Sequence, residues 1–209
     1  MRPRFALVST AALIAAMAIG AAAGAQSPAA SADPAAVQPG AYTVEPNHTR
    51  IQFSVDHMGF STWYGDFTGA SGSLSLDPKA PAASKLSVSI PTASVSTTNT
   101  TLDGELKSAD WFDAGKFPTI SFVSTKVTPT AKGRATISGD LTFHGVTRPV
   151  TLQARFHGAG VNPLSKAYTA GFDATGTIRR SDFGVTKYVP LIGDQVTLVV
   201  SGAFERKPA

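Results

Sequence analysis

Residues 73–90, SLSLDPKAPAASKLSVSI, set two runs of strict alternation on either side of a turn-rich stretch. Leu74 and Leu76 alternate with Ser73, Ser75 and Asp77, and Leu86, Val88 and Ile90 alternate with Ser87 and Ser89. Successive side chains of a strand point to opposite faces, so each run reads as a strand with one buried and one wetted face. Asp77-Pro78 supplies the turn chemistry between them.

The same beat continues on both sides. Ile51, Phe53 and Val55 alternate with Gln52, Ser54 and Asp56. Further on come Ile120 and Phe122; Ile137, Leu141 and Phe143; Val150, Leu152 and Phe156; Phe172, Ala174 and Ile178; and Val196, Leu198 and Val200. Lys132-Gly133, His144-Gly145 and Asn162-Pro163 punctuate the runs. About eight strands at this spacing predict an all-β fold, a count that fits a barrel or a sandwich; glycines within the strands, Gly69, Gly72, Gly139, Gly171, Gly176 and Gly202, permit the tight bends that a closed antiparallel β-barrel needs. A barrel of that size is wide enough for one slender ligand or for a core of its own side chains. Alternation alone leaves hollow and filled interiors open. One segment breaks the rhythm: Thr100-x-x-Asp103 reads as a helix start, and Leu102 and Leu106 lie one turn apart. A short helix is expected over 100–109, followed by Trp111-Phe112 as a plug or lid on one end.

The N-terminus divides from the rest by composition. Arg2 and Arg4, an uncharged run from Phe5 to Ala23 and the small-residue sequence Ala23-Gly24-Ala25 predict a secretory signal peptide over 1–25. Residues 26–40 are Ala-, Pro- and Ser-rich with Asp33 as the one charge, and read as a disordered tether. The folded domain is expected over 41–207, and the protein is expected in the periplasm or outside the cell. Removing two arginines and no acid with the leader lowers the formal charge from +4 to +2. With no basic run left to track a phosphate backbone, nucleic acid is not an expected partner.

The chain has no cysteine, which removes disulfides, thiolate catalysis and Cys-ligated metal. Its four histidines, His48, His57, His144 and His157, show no metal-ligand spacing, and no G-x-S-x-G occurs. Without a nucleophile, base and orienter, the expectation is a protein that binds rather than catalyses, with no cofactor and no metal.

Four groups of residues carry a resemblance. They are Tyr42-Thr43-Val44-Glu45-Pro46-Asn47-His48-Thr49 with the Phe53-x-Val55-x-His57 strand; Leu102-Asp103-x-x-Leu106-Lys107-Ser108-x-Asp110-Trp111-Phe112-Asp113 leading to Phe117-Pro118-Thr119-Ile120-Ser121-Phe122; Gly139-Asp140-Leu141-Thr142-Phe143-His144-Gly145-Val146-Thr147-Arg148; and Arg180-Ser181-Asp182-Phe183-Gly184-Val185. In that order they resemble the YceI-like family of periplasmic polyisoprenoid-binding proteins, over nearly all of Tyr42 to Glu205. Glu45-Pro46-Asn47 stands where the family usually has Asp and small residues, and Trp111 where Phe or Tyr is more usual. The resemblance implies a lipocalin-like barrel with an attached helix. It also implies a ligand that is a long-chain isoprenoid, polyprenyl or quinone-like, or a related amphiphilic lipid. Transient membrane contact and a homodimer are left open, as is the alternative of a filled barrel that serves as a structural or partner-binding module.

Of 12 Phe, 4 Tyr and 2 Trp, all but Phe5 lie in the folded part, an inventory suited to an apolar passenger. Phe53, Val55, Phe122, Leu141, Phe143, Phe172 and Ile178 are expected to line the interior. His57 shares Val55's face, and Leu106 comes from the helix. Phe60, Trp63 and Phe67 are expected at a mouth with Trp111, Phe112 and Phe183. His48, Asp103, His144, Arg180 and Asp182 are the polar candidates for a head group or for structure. The simplest role for His144 is a bond that stabilises its own turn, and for Arg180 with Asp182 an ion pair.

Overall fold

The computed structural model describes residues 30–206. The expected signal peptide, the first residues of the expected tether and Lys207 lie outside the described residues. Ten strands follow one another: β1 (Gly40–Val44), β2 (Arg50–His57), β3 (Ser61–Phe67), β4 (Ser71–Leu76), β5 (Lys85–Pro91), β6 (Thr119–Ala131), β7 (Arg134–Phe143), β8 (Val146–Val161), β9 (Tyr168–Arg179) and β10 (Ile192–Arg206). One helix, α1 (Thr100–Lys107), falls between β5 and β6.

All pairings are antiparallel, and the sheet closes on itself. The order runs β1-β4-β5-β6-β7-β8-β9-β10, and β10 returns to β1 through Tyr42–Arg206, Thr43–Glu205 and Val44–Phe204. The same edge of β10 then pairs with β2 from Arg50 to His57. β1 and β2 are thus one barrel stave interrupted by a 3-10 turn over Pro46–His48, whose N–H groups the Glu45 carboxylate caps. β3 and β4 make a second interrupted stave beside it, bent where Gly69 adopts φ +68°. Ten segments therefore fill eight positions, as the alternation predicts. Closure leaves β1 and β10 no free edges at the seam.

The helix occupies 100–107, a little shorter than expected, and its cap is Asn99 rather than Thr100. Asn99 Oδ1 accepts from the N–H groups of both Thr101 and Leu102. The Asp103 carboxylate turns back to the preceding loop, accepting from Thr97 N–H at 2.6 Å and Thr97 Oγ1 at 2.7 Å. Leu106 is buried, and the chain folds back after it so that Phe112 N–H donates to the Leu106 carbonyl. That return seats Trp111 and Phe112 inside one end of the barrel.

Residues 30–38 are not a free tether. Ser31 exchanges two backbone hydrogen bonds with Ala159 on β8, and Pro34–Ala36 form a 3-10 turn. Val37 is buried. Tyr168 Oη donates to the Ala36 carbonyl and accepts from Gln38 N–H, while Arg206 binds the Gln38 side chain. Composition suggested disorder because it counted few apolar residues. The few present, Pro34, Ala35 and Val37, find an apolar opening to cover.

Candidate functional site

The inward side chains do not meet across the axis at every level. At the α1 end they do: Phe112 lies 5.2 Å from Phe143, 5.9 Å from Phe67 and 6.5 Å from Phe53, ring centre to ring centre. Phe143 continues to Phe183 at 5.8 Å, and Phe183 is 1 % exposed. Edge-on and tilted aromatic contacts of this kind make a solid plug.

Towards the other end lies a cavity of about 500 Å³, within the range of small-molecule sites. Its walls are almost wholly apolar, with Leu74, Leu86, Val88, Phe122, Ile137 and Leu141 on one side and Leu152, Phe156, Phe172, Leu198 and Phe204 on the other. The hollow has a local cause. Ala135 pairs with Ala154, and Ala154 with Ala174, so three neighbouring strands present only methyl groups at one level of the barrel. At the next level down the larger Ile137 and Leu152 pair, with Gly176 beside them on β9. Gly139 has a complementary part: a Cβ there would stand 2.4 Å from the Phe122 ring, so its absence lets that ring lie flat on the wall.

The mouth is formed by the β4–β5 loop (Pro78, Pro81, Ser84), the β6–β7 turn (Lys132, Gly133, Arg134) and the N-terminal segment (Pro34, Ala35, Val37). This segment spans the mouth as a strap: Asp33 pairs with Lys132 at 3.1 Å, and the other contacts tie it to β8 and β9. Polar groups gather here and nowhere deeper except Thr49, whose hydroxyl is spent on the Ala203 carbonyl. Ser84 Oγ is the one buried side-chain polar atom without a hydrogen-bond partner among the described residues.

Of the residues expected to line the interior, Phe122, Leu141 and Phe172 face the cavity. Phe53 and Phe143 point inward but belong to the plug, and Val55 sits below it, between Val196 and Trp63. Ile178 points inward and packs against the core outside the cavity lining, beside a second, smaller pocket that Arg148 and Asp182 also line. Leu106 is the buried residue of α1, and His57 ends β2 with its ring 5.8 Å from Trp63, both away from the cavity. The expected mouth is at the wrong end. Phe67, Trp111, Phe112 and Phe183 are the buried plug, Trp63 is half-buried, and Phe60 stands 88 % exposed beyond it. Alternation assigns a face to each side chain but no height along the axis, which depends on the register of strands distant in sequence.

None of the polar candidates reaches the cavity. His48 is exposed and binds Glu45, and Asp103 serves Thr97. His144 does not brace its own turn. Its Nδ1 donates to the Phe183 carbonyl at 3.0 Å, and its ring packs on Phe117 at 4.8 Å, which fastens the β7–β8 turn to the loop after β9. Arg180 makes no ion pair with Asp182. Its guanidinium, on a residue 5 % exposed, donates to the carbonyls of Gly193, Val185 and Ile192 at 2.8–2.9 Å and lies 5.5 Å from the Trp111 ring. Planar donors suit three converging carbonyls better than one carboxylate beside them in sequence. The nearby carboxylate that matters is Asp194. Burial raises its pKa, but bonds from Ser181 N–H, Ser181 Oγ and Arg179 outweigh this and hold it below the ordinary range.

Sequence reasoning missed the alanine row and the mouth residues Ser84, Lys132 and Arg134. Small residues at inward positions of consecutive strands were a visible signal, but alignment of the three alanines needed the pairing register. Among the described residues no cluster of three His, Asp or Glu has metal-site geometry.

The comparisons with known proteins agree with this architecture. A UPF0312 protein of Ectopseudomonas mendocina is 41 % identical over 154 residues, covering 74 % of this chain and 80 % of its own. The crystal structure of the Campylobacter jejuni YCEI protein superposes with a TM-score of 0.65 at 29 % identity, over 73 % of this chain and 90 % of that one. A polyisoprenoid binding domain from Saccharophagus degradans shares the fold, with a TM-score of 0.59 at 14 % identity, over 79 % of this chain and 98 % of that one. The family model described as the YceI-like domain matches residues 42–204, the whole barrel from β1 into β10, and the chain belongs to that family.

Proposed function

We propose that this protein is an envelope carrier that holds the chain of an isoprenoid-type lipid, polyprenyl or quinone-like, in the barrel cavity and works by binding, without catalysis. The observation that carries the reading is the apolar hollow of about 500 Å³, opening at one end and stopped at the other by the Phe112 plug. Each methylene transferred from water to such a lining gains about 0.8 kcal/mol, so ten carbons supply roughly 8 kcal/mol before ordering losses. A chain enters tail first and leaves its polar end at the mouth, beside Ser84, Lys132 and Arg134. The unpartnered Ser84 hydroxyl then gains the hydrogen bond it lacks. The likeness to a solved polyisoprenoid binding domain supports the ligand class. The signal-peptide pattern of residues 1–25 supports an exported protein.

The test is organic extraction of purified protein followed by mass spectrometry, with titration of added prenyl alcohols. A near-stoichiometric lipid, or saturable uptake of a prenyl alcohol, is the expected result. A clean extract together with no uptake would leave a structural module.

A further inference from the structure

We infer that the mouth end of the barrel is a docking face for an anionic lipid surface, across which the cavity exchanges its ligand. This deepens the carrier reading and rests on it.

The two ends of the barrel differ in charge and in what protrudes. Around the mouth stand Lys79 on the β4–β5 loop, Lys85 at the start of β5, Arg134 on the β6–β7 turn and Lys166 on the β8–β9 loop, all exposed. Among the described residues none of these four pairs with a carboxylate. The acids at this end are already engaged: Asp33 with Lys132, Asp77 with Lys79 N–H, Asp173 with Arg155 and His157, and Glu205 with Ser165. The plugged end, by contrast, is balanced: Asp103, Glu105, Asp110 and Asp113 around α1, Asp182 after β9 and Asp194 on β10 stand against Lys107, Lys116, Arg148, Arg179, Arg180 and Lys187, with Asp110 paired to Lys187 and Asp194 to Arg179. A barrel so polarised approaches a negative surface mouth first.

The protruding element fits the same surface. β8 and β9 run past Phe156 and Phe172, which face the cavity, out to a loop over residues 162–167. At its tip Leu164 is 90 % exposed, three residues after exposed Val161 and two before Lys166. An apolar side chain at the end of a projecting hairpin, with the Lys166 ammonium held on the Pro163 carbonyl of the same loop, matches an interface whose outer layer is anionic and whose interior is hydrocarbon. The mouth opens on that side, so a tail passes between bilayer and barrel with little exposure to water.

The experiment is co-sedimentation of the full chain with vesicles of equal phosphatidylglycerol and phosphatidylcholine, against vesicles of phosphatidylcholine alone. Binding to the anionic vesicles only, lost in high salt, is the expected result. Lys79→Gln and Lys166→Gln each weaken it about fivefold, as a lysine near an anionic surface contributes, and Leu164→Ser about tenfold. Phe60→Ser, at the opposite end, leaves it unchanged. A parallel titration with a fluorescent prenyl alcohol in vesicle-free buffer tests the carrier reading separately. Normal probe binding without recruitment to anionic vesicles overturns the docking face alone; recruitment without probe binding overturns the carrier reading. Equal binding to both vesicle types, dependence on Phe60, or a dimer in solution that buries Leu164 also overturns the docking face.

Discussion

Replacing Ala174 with Leu places an isobutyl group where the wall of the cavity offers a methyl. Ala174 lies between Ala154 on β8 and Val200 on β10, in the row of small residues that opens the hollow. The added carbons, about three, displace as many from a ligand that fills the site. At about 0.8 kcal/mol each the loss is about 2.4 kcal/mol, or roughly 50-fold in Kd. The protein itself gains, because a leucine entering empty apolar space fills a void rather than crowding a packed wall, and such changes stabilise by about 0.5–2 kcal/mol. Calorimetric titration with prenyl alcohols of increasing length, run beside thermal unfolding, reads both effects. Alcohols lose affinity whatever their length, because a chain whose polar end stays at the mouth crosses the alanine level first, and Tm rises. A fall in Tm would show that the wall is already packed, and unchanged affinity would show that the ligand is not where the cavity is; either result refutes the reasoning.

Phe112→Ala removes the centre of the plug and should destabilise the fold by about 3–5 kcal/mol in urea titration, the usual range for a buried Phe; a loss below about 1 kcal/mol would mean that the plug is not part of the core. Arg180→Ala leaves the carbonyls of Gly193, Val185 and Ile192 unpaired and should lower stability by about 3 kcal/mol, whereas Asp182→Asn changes it by less than about 0.5 kcal/mol; equal losses would restore the ion pair between them. Asp194 has a depressed pKa, so its contribution is fully present above the unfolded-state value near 4 and is lost as pH falls through the lower folded value. Chemical denaturation at a series of pH values should show a shallower acid limb for Asp194→Asn than for the unaltered protein, and parallel limbs would assign acid sensitivity elsewhere.

Period-two alternation was enough to read the barrel and its eight staves, because each inward residue needs only its own strand to declare a face. The two broken staves were not legible: Pro46 and Gly69 signal a bend, but that the chain resumes beside the same neighbour is a long-range fact. Phe53 and Phe122 look alike in sequence and stand on the same side of the wall, yet one fills the plug and the other faces space. The difference is height, set by pairing partners far along the chain. Arg180 reads in sequence as a charge in search of a charge, and its three carbonyls, Val185 in the following loop and Ile192 and Gly193 at the start of β10, lie 5 to 13 residues downstream on a path no local pattern gives.

The seam between the first strand and the last has a consequence for how the molecule is made. β1 already has β4 on one edge, but on the closing edge Tyr42, Thr43 and Val44 pair with Arg206, Glu205 and Phe204, so a chain lacking the last residues of β10 remains an open, sticky sheet with the greasy lining on show. Pairings this distant in sequence form slowly, and their exposed precursors are prone to associate wrongly. Deleting as few as three residues from the end of β10 should therefore harm yield far more than an equal deletion from any surface loop.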